Sequence, residues 1–232
     1  MLLTKEDIMK NLKIAVACAF CWTILAGSAS AQMGMSMRPA MPAGVFTGTV
    51  GSGAQYESTT SDGAKTTIEF AVVGKEAVNG KDAYWLEWTA TAGHMGEMVM
   101  KVLITPDSTS GATSRMIMQM AGRPPMEMPS QSRTGSQPAP KMDIRGESED
   151  VGKESVTTPA GTFVCEHYRA KDGSSDTWIS TQVAPFGVVK TQGKNSSMLL
   201  IKQVTDARDK IVGTPVPFSP QMMMQQMQSP NQ

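Results

Sequence analysis

The segment KTTIEFAVV, residues 65–73, shows most directly which kind of fold this chain adopts. In it, the large apolar residues Ile68, Phe70 and Val72 alternate with smaller or polar residues. Successive side chains of a strand point to opposite sides of the sheet, so a period of two residues is typical of a strand that buries one face. The segment therefore predicts a half-buried β-strand.

Turn residues bound this strand on both sides and recur along the chain. Ser61-Asp62-Gly63-Ala64 precedes it, Asn79-Gly80 follows it, and Asp172-Gly173 comes later. Asp-Gly and Asn-Gly pairs between alternating runs are strong hairpin signals. The strands predicted from these patterns cover residues 45–50, 55–60, 65–73, 75–78, 83–91, 97–105, 115–120, 154–158, 161–170, 175–181, 187–191 and 197–205.

The spacing of these runs predicts an all-β or β-dominated fold, a curved antiparallel meander that forms an open half-barrel. We place a single β domain at residues 45–211. A Pro-rich insertion at about residues 122–150 interrupts the rhythm and is expected to be a loop or disordered. Neither half has enough apolar residues for a core of its own, so one continuous sheet is expected.

Residues 1–31 have the order of a secretory signal peptide. Lys10 and Lys13 precede the apolar run 14–26, and Ala29 and Ala31 have the spacing that precedes a cleavage site. The apolar run is shorter than the roughly 20 residues that a spanning helix needs. We therefore expect cleavage after Ala31, a periplasmic or secreted location, and no transmembrane segment in the mature chain.

Charge and motif content argue against several functional classes. The chain has 21 basic and 21 acidic side chains without a run of one sign, which disfavours a nucleic-acid partner. It has two histidines and no nucleophile elbow, zinc-protease motif or phosphate loop, so we expect no enzyme. After cleavage only Cys165 remains, which excludes an intramolecular disulfide and is expected to be a small buried residue.

Methionine is the unusual component, with 20 residues that occur in clusters. Those on strands fill a core or form a face for varied greasy ligands, since methionine is flexible and polarizable. We predict that a lipid or another hydrophobic small molecule binds this face. The predicted binding residues are Trp88, Met98, Met100, Met116, Met118, Met120 and Trp178.

A copper site is the alternative interpretation of the methionines, because thioethers are soft ligands that select Cu(I). Apart from copper, no cofactor is expected. The predicted copper ligands are Met33, Met35, Met37, His94, Met95, Met98, Met222, Met223 and Met224. Many of them lie in an arm at residues 32–44 and a tail at residues 212–232, which are expected to be flexible. A third interpretation is an envelope interaction module that uses these arms.

Two segments resemble a known group of proteins. VTTPAGTFVC at residues 156–165 with Tyr168, and the run from Trp178 to Lys190, resemble a signature of uncharacterised exported bacterial proteins built on an open antiparallel sheet. That group is similar in strand pattern to lipoprotein carriers of the LolA/LolB type. The resemblance implies an incomplete barrel around a greasy cavity for acyl chains. We thus expect an exported carrier of a hydrophobic ligand.

Overall fold

Twelve β-strands form one sheet in this computed structural model, which describes residues 44–92, 96–106, 113–128 and 143–219. Within these ranges, no helix is long and apolar enough to cross a membrane. The strands are β1 (Gly53–Thr60), β2 (Lys65–Val78), β3 (Lys81–Ala92), β4 (Gly96–Ile104), β5 (Thr113–Met120), β6 (Met126–Met128), β7 (Ser148–Thr158), β8 (Gly161–Ala170), β9 (Ser175–Ile179), β10 (Val188–Gly193), β11 (Ser196–Val204) and β12 (Val216–Pro217). A short 3-10 helix, Arg145–Glu147, precedes β7.

The sheet consists of two meanders that meet in its middle. The spatial order is β12-β6-β5-β4-β3-β2-β1-β11-β10-β9-β8-β7, so β1 pairs with both β2 and β11. All neighbouring pairs are antiparallel except β12 with β6, which is parallel. The outermost strands β7 and β12 do not pair with each other in the described part of the chain, so the sheet is open. The predicted fold class is thus confirmed.

The predicted first strand, residues 45–50, is wrong. Val45 forms a single bridge with Asp143, and residues 46–49 have no regular structure. The backbone N–H groups of Val45 and Thr47 donate to the carbonyls of Phe186 and Pro185 instead, at 2.8 and 2.7 Å. The segment therefore forms its backbone hydrogen bonds with the loop at residues 185–186 rather than with a strand. The alternation of residues 45–50 gives no sign of this distant partner.

Two further differences concern strand ends. Residues 65–73 and 75–78 belong to one strand, β2, which continues through an irregularity between Val72 and Gly74. β6 and the start of β7 lie inside the predicted insertion 122–150, and β12 lies inside the predicted tail. Three and two residues are too few to show a period, which explains why β6 and β12 escape a pattern search. The predicted signal peptide, and residues 32–43 of the arm predicted at residues 32–44, lie outside the described residues.

An aromatic row fills the inner face, by which we mean the face of β1–β6 that holds the core. The ring of Phe186 lies 6.1 Å from Phe70 and 5.7 Å from Phe46, which in turn lies 5.7 Å from Tyr84. Phe46 comes from the segment before β1, and Phe186 from the loop between β9 and β10. Two loops therefore cover this part of the sheet.

Gly187 lets the second of these loops turn back onto the sheet. Its φ is +72°, and a Cβ there would lie 2.7 Å from Cγ2 of Ile179. The backbone around it is closed by hydrogen bonds from Ser180 N to Gly187 O and from Gly187 N to Val183 O. A side chain at residue 187 would be strained in both conformation and space.

The chain after β11 crosses the outer face of the sheet as an extended strap, residues 205–219. Its backbone N–H groups donate to one sheet strand after another. Ala207 N donates to Gly51 O, just before β1, and Lys210 N donates to Glu87 Oε2 on β3. Val212 N donates to Gln119 Oε1 on β5, and Phe218 N donates to Glu127 O on β6. All four donor–acceptor distances are 2.9 Å. The strap ends as β12, which extends the sheet beyond β6.

Candidate functional site

Seven methionines from three adjacent strands share the inner face of the sheet. They occupy alternating positions within β4, β5 and β6, and the register places them opposite one another. The directly opposed pairs are Met98 with Met120, Met100 with Met118, Met116 with Met128, and Met118 with Met126. Opposed residues on an antiparallel pair have Cβ atoms about 4.5–5.5 Å apart, so their side chains interact. We call these seven residues the methionine face.

Burial is graded across the methionine face. Met100, Met118 and Met126 are at most 2% exposed and belong to the main core cluster. The other members, Met98, Met116, Met120 and Met128, are only partly buried. The face therefore has a packed centre and a rim that solvent reaches.

Trp88 adds an unpaired hydrogen-bond donor to this face. It lies on β3 directly opposite Met100, and its side chain packs against the core cluster. Its indole Nε1 is buried and has no hydrogen-bond partner among the described residues. Leaving a buried donor unpaired costs about 1–3 kcal/mol, which an acceptor on a bound molecule would recover. The geometry therefore offers one polar contact within an otherwise apolar surface.

The structure brings together most of the predicted binding residues but separates one of them. Trp88 and the five predicted strand methionines lie on one continuous face. Met126 and Met128 join them and were missed, because Met-Glu-Met is short and follows two prolines. Of the predicted copper ligands, only Met98 lies in the described part of the chain. The others, His94 and Met95 included, fall outside it, as do residues 32–43 and 220–232 of the two arms in the interaction-module prediction.

Trp178 belongs to a different cluster, in the second meander. The His167 ring stacks on its indole at 4.4 Å, and Lys190 Nζ lies 4.5 Å from the ring centroid. Its Nε1–H donates to Glu154, and His167 Nε2 lies 2.7 Å from Asp176 Oδ1. The hydrogen-bonding groups of this cluster therefore pair with one another, and we assign the cluster a structural role rather than a binding role.

Cys165 lies in the core beside this cluster. It is fully buried, and its Sγ donates to Phe163 O at 3.6 Å. Burial, together with the charge of Glu154, raises the pKa of the Cys165 thiol to about 11. Since metals bind the thiolate, this cysteine is poorly suited as a ligand. Among the described residues, no group of three or more His, Cys, Asp and Glu side chains is arranged to hold a metal ion.

A pocket of about 450 Å³ opens at the far end of the second meander. Tyr168, Lys171, Ser175 and Thr177 are among its lining residues. The Tyr168 hydroxyl donates to Glu166 at 2.9 Å, and Lys171 Nζ donates to the Gly146 carbonyl at 3.1 Å. Burial, with the hydrogen bond and charge of Glu166 next, raises the Tyr168 pKa to about 12, so the hydroxyl stays neutral. The Tyr168 and Lys171 donors of this pocket are already engaged by the protein, which makes it a weaker candidate than the methionine face.

Comparison with known proteins gives limited similarity. No protein family profile matches the chain, and no curated protein matches it. Two solved structures are similar to it, each with 16% sequence identity over 70% of this chain and a TM-score of 0.35. One is a candidate lipoprotein from Parabacteroides distasonis, matched over 100% of its length, and the other a candidate exported protein with a YmcC-like fold from Bacteroides fragilis, matched over 99%. Likeness at this level says nothing about what this chain binds.

Proposed function

We propose that this chain is an exported, non-enzymatic protein that binds or carries a hydrophobic ligand, such as a lipid or acyl chain, on the methionine face. Export is inferred from the signal-peptide pattern of residues 1–31. The observation that supports ligand binding best is the unpaired, buried indole N–H of Trp88 within an apolar surface with an accessible rim. The sequence resemblance to LolA/LolB-type carriers agrees with this class of ligand.

The chemistry of the face suits an acyl chain. Methionine side chains are flexible and polarizable, so they adapt to chains of different length and bend. Each Å² of apolar surface that the ligand and the rim remove from water contributes about 25 cal/mol. The Trp88 N–H would donate to a carbonyl or carboxylate oxygen of the ligand, which fixes one end of the chain. Affinity therefore comes from the rim and orientation from Trp88.

Trp88→Phe tests this proposal. We expect about tenfold weaker binding of a fluorescent fatty acid, because the variant keeps an apolar ring and loses the one buried side-chain donor that has no partner among the described residues. Titration of the purified mature protein with the probe measures the affinity. Trp85→Phe is the matched control, since Trp85 lies on the opposite side of β3 and its indole donates to Glu76 at 3.2 Å.

Mass spectrometry of the purified protein gives a second readout of the same proposal. Lipid that survives purification would identify the class of the native ligand. No retained lipid together with no uptake of the fatty-acid probe would end the carrier proposal. Equal loss of probe binding in Trp88→Phe and Trp85→Phe would remove Trp88 from the site.

Cu(I) binding is the second candidate function, and the opposed thioethers of the methionine face favour it. Two of the opposed pairs, Met98 with Met120 and Met116 with Met128, lie on the accessible rim. Each pair brings two soft ligands from neighbouring strands within reach of one ion. Of the copper ligands predicted from the sequence, this rim site includes only Met98.

Methionine-to-leucine variants separate the two candidate functions. Leucine keeps the apolar volume and removes the sulfur, so replacing the four rim methionines is expected to lower Cu(I) affinity at least about tenfold while fatty-acid binding stays nearly unchanged. Competition with a chromogenic Cu(I) chelator measures the affinity. A matched variant replaces the terminal methionines Met33, Met35, Met37, Met222, Met223 and Met224. Loss of copper in that variant alone would place the ion at the chain ends.

A further inference from the structure

Charged side chains hold the strap to the outer face of the sheet. The backbone N–H of Lys210 donates to the Glu87 carboxylate at 2.9 Å. Its ammonium donates to Glu69 Oε1 at 2.7 Å and to the Thr89 hydroxyl at 3.1 Å. Lys101 forms an ion pair with Asp209. The centre of the strap is therefore fixed to the sheet by polar contacts and ion pairs.

The charges in this cluster do not balance when every group is ionised. Glu87 and Lys101 are 2% and 9% exposed, so their charges are poorly screened by water. The charged groups that face Glu87 are Glu69 on β2, Lys101 on β4, and Asp209 and Lys210 on the strap. Three carboxylates thus face two ammonium groups. Protonation of Glu87 removes the excess negative charge.

The Glu87 carboxyl of the folded protein has a pKa near neutral pH. Burial, and to a smaller degree the neighbouring Asp209 charge, raises the pKa of Glu87 from 4.5 to about 7. When the strap lifts, water reaches this carboxyl and its pKa returns to the ordinary value. The lifted strap is therefore favoured progressively as the pH rises from about 4.5 to about 7, and the effect levels off above that.

The end of the strap lies at the edge of the methionine face. Val216 of β12 pairs with Met126 of β6, and its side chain packs against the core cluster. The pairing is parallel and two residues long, and Val216 N donates to Pro125 O at 3.0 Å. So short a strand gains little stability by itself. Its position depends on the anchor that the rest of the strap provides.

We propose that the strap is a pH-dependent gate at the β6 edge of the methionine face, closed while Glu87 is neutral and loosened when Glu87 ionises. The inference rests on the proposed function only where it names the methionine face as a binding site. The motion of the strap follows from its own contacts. In acid the strap holds Val216 against Met126, and near neutrality it releases this edge to a ligand.

Hydrogen exchange of the full-length mature protein between pH 5 and 8 tests the gate. The reporters are the amides of Lys210, Val212, Val216 and Phe218, which are hydrogen-bonded to the sheet. After division by the intrinsic exchange rates, their protection is expected to fall by up to about tenfold per pH unit from pH 5 to 7. The Glu87→Gln variant keeps an acceptor and carries no charge, so its protection is expected to stay at the acid level. Amides of β3 and β4 are the internal control.

Each result decides a separate question. The gate is overturned if strap protection in the wild type does not change with pH, or if Glu87→Gln shows the same fall. The wild-type profile alone is decisive should the variant not fold. Uptake of the fluorescent fatty acid at pH 5 and 7 is measured in parallel. If the strap loosens but the protein takes up no fatty acid, the strap motion stands and the proposed function is overturned. If uptake is independent of pH and the strap does not loosen, only the gate is overturned.

Discussion

Phe186→Ala is expected to lower the free energy of unfolding by about 3–5 kcal/mol. The side chain is 1% exposed and lies between Phe46 and Phe70, with ring centroids 5.7 and 6.1 Å away. Truncation removes its own buried surface and leaves a cavity that neighbouring aromatic rings on a sheet cannot fill, because strands cannot move closer without breaking their hydrogen bonds. The effect is large because this one ring joins a loop, the segment before β1 and β2.

Urea unfolding followed by fluorescence measures this change, with the slope of the transition compared between variants. Val164→Ala is the matched control, because Val164 is 68% exposed and its truncation is expected to change stability by less than about 0.5 kcal/mol. A loss below about 1 kcal/mol for Phe186→Ala would mean that the loop does not insert its ring into the core.

The second large effect is a dependence of stability on pH that one residue controls. Glu87 has a raised pKa in the folded protein, so the folded state binds more protons than the unfolded state between about pH 4.5 and 7. The stabilisation that the Glu87 carboxyl contributes is therefore complete below its pKa in the unfolded chain. It is lost as the pH rises through its pKa in the folded protein. Glu87→Gln removes the titration, so the variant is expected to match the wild type near pH 4.5 and to exceed it by about 3 kcal/mol at pH 8.

Unfolding in urea at a series of pH values gives the difference between the two proteins. Glu127→Gln is a control of opposite sign, because the hydrogen bond from Arg115 lowers the pKa of Glu127. That group stabilises the fold above its unfolded pKa and ceases to do so in acid, so its variant is less stable than the wild type at pH 8. A constant gap between Glu87→Gln and the wild type would show that Glu87 does not titrate in this range.

Local patterns predicted the strands and hairpins because their physical cause is local. Asn79 and Gly80 have φ values of +52° and +74°, the positive values that a tight hairpin turn needs, and the residues themselves favour them. Alternation in β3 separates Leu86 and Trp88 from Glu87, and in the structure Leu86 and Trp88 lie on the core side of the sheet. The strap escaped prediction because its contacts join residues far apart in sequence and its own residues have no period.

The methionine face was predicted in part for the same reason. Alternation identified which side of β4 and β5 the methionines occupy, but their opposed pairing depends on strand register. Register follows from turn geometry and from burial of the whole face, which a single strand does not encode. The unpaired indole of Trp88 and the buried charge of Glu87 are consequences of packing, so neither had a signal in the sequence.

The pairing of β1 with β11 has a consequence for how the chain folds. Residues 53–60 receive one of their two partner strands only when residues 196–204 have been made. Such distant contacts carry a loop-closure entropy cost, so the centre of the sheet is expected to form slowly, and only after residues 196–204 have been synthesised. This delay suits the export that we expect from the sequence of residues 1–31, because an incomplete sheet can still be threaded through a membrane pore. The same topology leaves two half-sheets with open inner edges in the meantime, where a chaperone would bind or aggregation would begin.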